Sequence, residues 1–176
     1  MTTFAVTGMG RSGTKFLARA MNKVPGWTVY HEPTAGFRPT YEVQRRFDTA
    51  ENNADNYGEV NSFLRFQLAS LNVDRCAVIL RDPIDIFQSM VNRGKPFLGH
   101  LVDALYALDG LLASGISPIY FSKMTQDAGY LRQVMSLLGV DEGIPEAYID
   151  LTPVNVSTRF APMPPAMVKE AQKKTD

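Results

Sequence analysis

Phe4-Ala5-Val6-Thr7-Gly8-Met9-Gly10-Arg11-Ser12-Gly13-Thr14-Lys15-Phe16-Leu17 is the stretch on which the fold turns. Phe4-Ala5-Val6 is apolar, and too short and too β-branched to begin a helix; it reads as a strand. Phe16, Leu17, Ala20, Met21 and Val24 fall on one helical face. Between them lies a glycine turn, Gly8 to Gly13. Strand, glycine turn and helix in that order let successive backbone N–H groups and the positive end of the helix dipole converge on an anion. Arg11 and Lys15 add side-chain cations, so the stretch reads as a phosphate site; the plainer alternative is a turn that only joins strand to helix.

The spacing from Gly8 to Gly13 matches the first half of a nucleotide-triphosphatase P-loop, but Thr14-Lys15 follows where that motif has Lys and then Ser or Thr. Phe16 stands where the magnesium-holding hydroxyl would be, which weakens metal-dependent γ-phosphoryl transfer. Arg11-Ser12-Gly13-Thr14 instead resembles the 5'-phosphosulfate loop of sulfotransferases that use 3'-phosphoadenosine-5'-phosphosulfate (PAPS). The resemblance implies that Arg11, Ser12, Gly13, Thr14 and Lys15 hold the 5'-phosphate. It also implies that Arg11 and Lys15 stabilise the charge that develops as that group leaves.

Cys76-Ala77-Val78-Ile79-Leu80 is a continuous apolar run, as expected of a strand buried on both faces of a parallel sheet. It ends in Arg81-Asp82-Pro83, where Asp82 can cap a helix and Pro83 suits its first turn. In that helix Ile84, Phe87 and Val91 are expected to face inward, with Asp85, Ser89 and Asn92 opposite. Arg81 and Ser89 can then reach one anion at the sheet edge. Arginine, Asp-Pro and a serine eight residues after the arginine resembles the 3'-phosphate motif of the PAPS sulfotransferases. Asp82 read as a metal-binding carboxylate of a triphosphatase is the competing interpretation.

Trp27-Thr28-Val29-Tyr30 reads as a short strand ending at His31-Glu32-Pro33. In an open parallel sheet the chemistry lies beyond the carboxyl ends of the strands, so Glu32 is placed to accept an acceptor's proton. The resemblance implies the same, since several sulfotransferase branches use a glutamate soon after the first helix. Alternatively Glu32 pairs with Arg11 or Lys15 and only orders the loop. His31 is expected to be a hydrogen-bonded neighbour, and two histidines without a carboxylate or cysteine cluster make no metal site.

Elsewhere the pattern sets the frame. Residues Tyr41 to Phe47 suggest a short helix, and Asp48 to Asn56 a mobile polar loop, either an acceptor-binding lid or plain solvated surface. Leu64, Leu68 and Leu71, with Phe63 and Phe66, suggest a helix capped by Asn61 or Ser62. Leu98, Leu101, Leu105, Leu108 and Leu112 describe a long amphipathic helix, read as core packing first and a homodimer face second. Pro118 to Phe121 reads as a strand, and Leu131, Val134, Met135 and Leu138 as a helix stopping at Gly139. Leu137-Leu138-Gly139-Val140 resembles the end of the family's late helix. Beyond Val140 the periodicity fades and prolines exclude long helices. There Ser157 and Arg159 fit a late basic loop that, in the resembled family, often closes over the nucleotide.

Eighteen basic residues balance 18 acidic ones, so no global field favours nucleic acid or an anionic membrane. The lone Cys76 allows no internal disulfide and suits a reducing compartment. No basic-then-apolar leader and no run of about 18 apolar residues is present, and a cytoplasmic location is expected. The expected fold is an α/β three-layer sandwich with a central parallel sheet, P-loop NTPase-like, forming one domain over residues 1–176 with its core in about 1–140. The expected activity is transfer of a sulfuryl group from PAPS to a hydroxyl or amine, with Glu32 as general base, PAP as product and no metal required. Lys15 points to a carbohydrate acceptor, because some glycosaminoglycan sulfotransferases carry a basic residue there. A P-loop kinase or NTPase and a non-catalytic nucleotide-binding module are the alternatives.

Overall fold

In the computed structural model, residues 1–33, 36–53, 55–92, 94, 98–141 and 144–152 are described. Five strands form one sheet: β1 (Thr3–Gly8), β2 (Trp27–His31), β3 (Asn56–Val60), β4 (Arg75–Leu80) and β5 (Ser117–Tyr120). Every pairing is parallel, in the order β2-β3-β1-β4-β5. Helices cover both faces, as an all-parallel sheet requires. On one face α1 (Thr14–Met21), α5 (Phe121–Gln126) and α6 (Ala128–Leu137) pack over Phe4, Val6, Ala77, Ile79 and Ile119. On the other, α2 (Thr40–Asn52), α3 (Pro83–Val91) and α4 (Leu98–Ala113) pack over Ala5, Tyr57 and Val78. The result is the three-layer α/β sandwich that the sequence pattern leads one to expect. Its central strand, β1, is buried along its whole length.

The strand the pattern does not reveal is β3. Tyr57-Gly58-Glu59-Val60 lacks a clean apolar run, yet it lies between β1 and β2 with all four residues buried. Both irregular residues have a tertiary reason. A Cβ on Gly58 would sit 2.2 Å from the Phe4 ring, so the glycine makes room for that side chain. Glu59 is fully buried, and its carboxylate takes both Nε and Nη2 of Arg46 and the hydroxyl of Tyr57. A buried charge is tolerated only when paired and hydrogen-bonded in this way. Burial and the Glu59 carboxylate together hold the Tyr57 phenol well above its usual value.

The same pair corrects the reading of Asp48 to Asn56. Helix α2 continues through Asn52 instead of giving way to a loop after Phe47, because Val43, Phe47 and Ala50 are buried on one face. Arg46 on that helix is tied to Glu59 on the sheet.

Three further expectations are revised. Leu64 and Leu68 are buried on two short 3₁₀ turns, Ser62–Phe66 and Leu68–Ser70, with the buried Leu71 just after the second, and Phe66 is exposed. The Asn61 side chain does cap, accepting the Phe63 N–H at 2.9 Å. On α3 it is Ile86 and Ser89 that are buried, whereas Ile84 is exposed. Ser89 therefore lies on the inner face, not opposite it. On α4 the inward residues are Leu101, Ala104, Leu108 and Leu111, while Leu98 and Leu105 are exposed. Among the described residues no helix is long and apolar enough to cross a membrane.

Because Arg46 neutralises a carboxylate with no access to water, Arg46→Met is expected to cost about 3 kcal/mol of unfolding free energy. Urea denaturation of both proteins checks this; a loss below about 1 kcal/mol would mean that the pair does not hold α2 to the sheet.

Candidate functional site

Strand order creates the site. The chain leaves β1 on α1 towards β2 at one edge, and leaves β4, the neighbour of β1, towards β5 at the other edge. The connections after β1 and β4 thus diverge, and a crevice opens between two strand ends that are in register at Gly8 and Ile79. This is the topological switch point at which open α/β sheets bind ligands.

The loop after β1 is shaped by its glycines. Ser12 N–H donates to Met9 C=O at 3.0 Å, closing a tight turn whose third residue, Arg11, is left-handed at φ 76°. Gly13 follows at φ 102° and serves as the N-cap of α1 with no side-chain cap. The first N–H groups of α1 are therefore not capped by the Gly13 position. A Cβ on Gly13 would lie 2.4 Å from the Phe121 ring, and one on Gly8 would lie 2.4 Å from Ser12 Oγ. Both positions exclude a side chain, and Gly13 is also in a backbone region that favours glycine.

Strand β4 sends Arg81 back to this loop. Its Nη1 donates to the Arg11 carbonyl at 2.9 Å, and its guanidinium lies 4.4 Å from the centre of the Phe121 ring. Asp85, one turn into α3, is 3.9 Å from Arg81 Nε. Arg11 in turn donates from Nε to Ser89 Oγ at 3.2 Å. The two motifs found separately in the sequence, Arg11 to Lys15 and Arg81 to Ser89, are thereby drawn into one crevice. Phe121, which forms one wall, carries no motif; only its place after β5 puts it there.

Ser12 is placed differently from Thr14 and Lys15. It is fully buried, its hydroxyl lies against Gly8, and it has no partner among the described residues. Arg81 Nε is likewise buried without a hydrogen bond. The orphaned Ser12 hydroxyl beneath the glycine cradle, which costs about 1–3 kcal/mol if left so, fits a loop that completes itself around a polar ligand. Thr14 is buried and its hydroxyl shares a 3.1 Å hydrogen bond with His31 Nε2. Lys15 is exposed at the start of α1. Arg159 and Ser157 lie outside the described residues.

His31, the last residue of β2, meets Thr14 at the start of α1, and Glu32 follows it in the chain. Burial lowers the His31 imidazole from its usual value; Glu32 opposes this and Lys15 reinforces it. Glu32 adopts φ 48°, which is left-handed for a residue with a side chain, and its N–H donates to Val60 C=O at 3.3 Å. Its carboxylate accepts a hydrogen bond from Ser62 Oγ at 2.5 Å, a partner that the sequence suggests only as a helix cap. Ser62 follows β3, the strand missing from the sequence reading, so this contact could not have been anticipated. Among the described residues no group of three or more His, Cys, Asp or Glu could hold a metal ion. Next to Met9 and Arg81, a cavity of about 180 Å³ is walled by Leu80, Ile86, Leu105 and Leu108.

The chain's fold is that of an α/β protein with a glycine loop after its first strand. Among solved structures it is similar to a sulfotransferase from Alicyclobacillus acidocaldarius, with a TM-score of 0.55 and 14% identity over 99% of this chain and 91% of that one. The likeness extends over nearly the whole of both chains and concerns the fold. No family model matches the sequence, and no curated protein matches it.

Two consequences can be measured. Gly13→Ala combines a left-handed backbone with a clash against Phe121, and is expected to cost about 2–4 kcal/mol in chemical denaturation; a cost under about 0.5 kcal/mol would contradict the close packing of the loop. His31 has a folded-state pKa below its unfolded value of about 6.5, so between the two the unfolded chain binds more protons. Stability should therefore fall as the pH drops from 7 through 6, and His31→Asn should flatten that slope in thermal melts.

Proposed function

We propose that the chain is a PAPS-dependent sulfotransferase that moves a sulfuryl group to the hydroxyl or amine of a small-molecule or carbohydrate acceptor. The observation that carries the reading is the Arg81–Arg11–Ser89 connection. It joins a 5'-phosphate type of loop to a 3'-phosphate type of motif across one switch-point crevice, as a nucleotide phosphorylated at both positions demands. An ATP-like ligand has no 3'-phosphate for Arg81 and Ser89 to meet.

In this reading Arg11, Thr14, Lys15 and the loop N–H groups, with Ser12 and Gly13 shaping the loop, hold the 5'-phosphate. Arg81 and Ser89 hold the 3'-phosphate, and Arg159 closes over the nucleotide. Glu32 takes the acceptor's proton as the acceptor oxygen forms its bond to sulfur; the bond from sulfur to the 5'-phosphate oxygen breaks, and adenosine 3',5'-bisphosphate leaves. Arg11 and Lys15 stabilise the negative charge gathering on that leaving phosphate. Phe16 lies in the core beneath the loop, where a triphosphatase would present a metal-binding hydroxyl, which favours this reading over a kinase. The apolar cavity beside Met9 supports testing a phenol as well as a sugar. The same reading puts the enzyme in the cytoplasm, where Cys76 would stay reduced.

Adenosine 3',5'-bisphosphate is expected to raise the melting temperature of the native protein and of Glu32→Gln, but not of Arg81→Ala. With radiolabelled PAPS, the native protein should sulfate 4-nitrophenol or glucosamine and Glu32→Gln should not. Stabilisation by MgATP with no response to the bisphosphate would point to the kinase reading, and binding without transfer to either acceptor would leave a nucleotide-binding module.

A further inference from the structure

The contact between Ser62 and Glu32 joins parts of the chain that share no motif. Ser62 begins a 3₁₀ turn at the end of β3 and is buried. The backbone of Asn61 and Ser62 is held from several sides: Asn61 N–H donates to Val6 C=O at 2.9 Å, the Thr7 hydroxyl donates to Asn61 C=O at 3.0 Å, and Arg65 Nη1 donates to Ser62 C=O at 2.6 Å. Ser62 is thus anchored to β1, the strand that also carries the glycine loop. Its hydroxyl donates to Oε1 of Glu32. Among the described residues the other carboxylate oxygen, Oε2, receives no hydrogen bond.

Glu32 needs such a tether. Its φ of 48° is a conformation that side-chain-bearing residues avoid at a cost of about 1 kcal/mol, and it follows the last residue of an edge strand. A carboxylate on an unsupported strand end would sample several rotamers, and a general base has to meet its proton within hydrogen-bonding distance. His31 on the same strand end interacts electrostatically with Glu32 and also with Lys15 on α1, and Arg65 bonds the Ser62 carbonyl.

We propose that Ser62 is a positioning residue for transfer: its hydroxyl fixes Oε1 of Glu32 relative to the glycine loop, so that Oε2 faces the crevice and takes the acceptor's proton. The inference rests on Glu32 being the base, as proposed above. Ser62 does not touch the acceptor or the nucleotide; its effect passes through Glu32. The hydroxyl also has a cost to explain, since a serine at a 3₁₀ N-terminus already capped by Asn61 is not needed for the cap.

The test uses Ser62→Ala, Ser62→Thr and Glu32→Gln in the full chain, with radiolabelled PAPS and 4-nitrophenol or glucosamine. Loss of one charge-assisted hydrogen bond predicts that Ser62→Ala lowers kcat about tenfold. KM for PAPS and the thermal shift given by adenosine 3',5'-bisphosphate should stay as in the native protein, and Ser62→Thr should restore most of kcat. A Ser62→Ala protein with native kcat overturns the inference while leaving Glu32 as base. So does a variant that loses nucleotide binding along with turnover, or one that Ser62→Thr fails to rescue, since either marks a structural role. Full transfer by Glu32→Gln, or no transfer by the native protein to either acceptor, sinks the parent reading and this one with it.

Discussion

The guanidinium of Arg81, lying over the Phe121 ring and bonded to the carbonyl of Arg11, is the contact on which the architecture of the crevice depends. It fastens the end of β4 to the loop after β1, the two strand ends between which the connections diverge. It adds to the Met9–Ser12 hydrogen bond in holding the turn at the left-handed Arg11. Arg81 has a planar fork of donors, so it can serve this carbonyl with Nη1 and still offer other N–H groups towards the crevice. A lysine would supply the charge but not the fork.

Around that contact the molecule separates structural charge from charge available for work. Glu59 and Arg46 are spent on each other, with Tyr57 completing the set; they fasten α2 to β3 and leave the crevice untouched. Arg19 and Lys23 on the first helix and its flank hold Asp150, far along the chain. The crevice residues are engaged more loosely. Lys15 is exposed, Arg81 keeps a buried Nε without a hydrogen bond, and Ser12 keeps an orphan hydroxyl. Groups held by the scaffold but not saturated by it are what a polar ligand needs to find.

The left edge of the crevice shows how topology joins residues remote in sequence. β3 comes later in the chain than β2 but inserts between β2 and β1. The segment that follows it therefore crosses just beyond Glu32 and delivers Ser62 to that carboxylate. Glu32 and Ser62 are 30 positions apart, and no spacing rule connects them. The relation of Thr14 to His31 arises in the same way: α1 returns the chain to a strand whose end faces the loop it came from.

The sequence alone determined the alternation of strands and helices, the glycine loop after β1, the arginine at the end of β4 and the serine on the helix that follows it. These signals are local, set by backbone freedom at glycine, by apolar periodicity and by capping. Tertiary structure decided what those signals could not carry. It made a strand of Tyr57–Val60, because Gly58 admits the Phe4 ring and Glu59 finds Arg46. It turned Ser89 inward to Arg11, kept α2 helical through Asn52, and set Phe121 against Gly13. In each of these cases the deciding partner lies on another element, and burial against it outweighs the preference of the local residues.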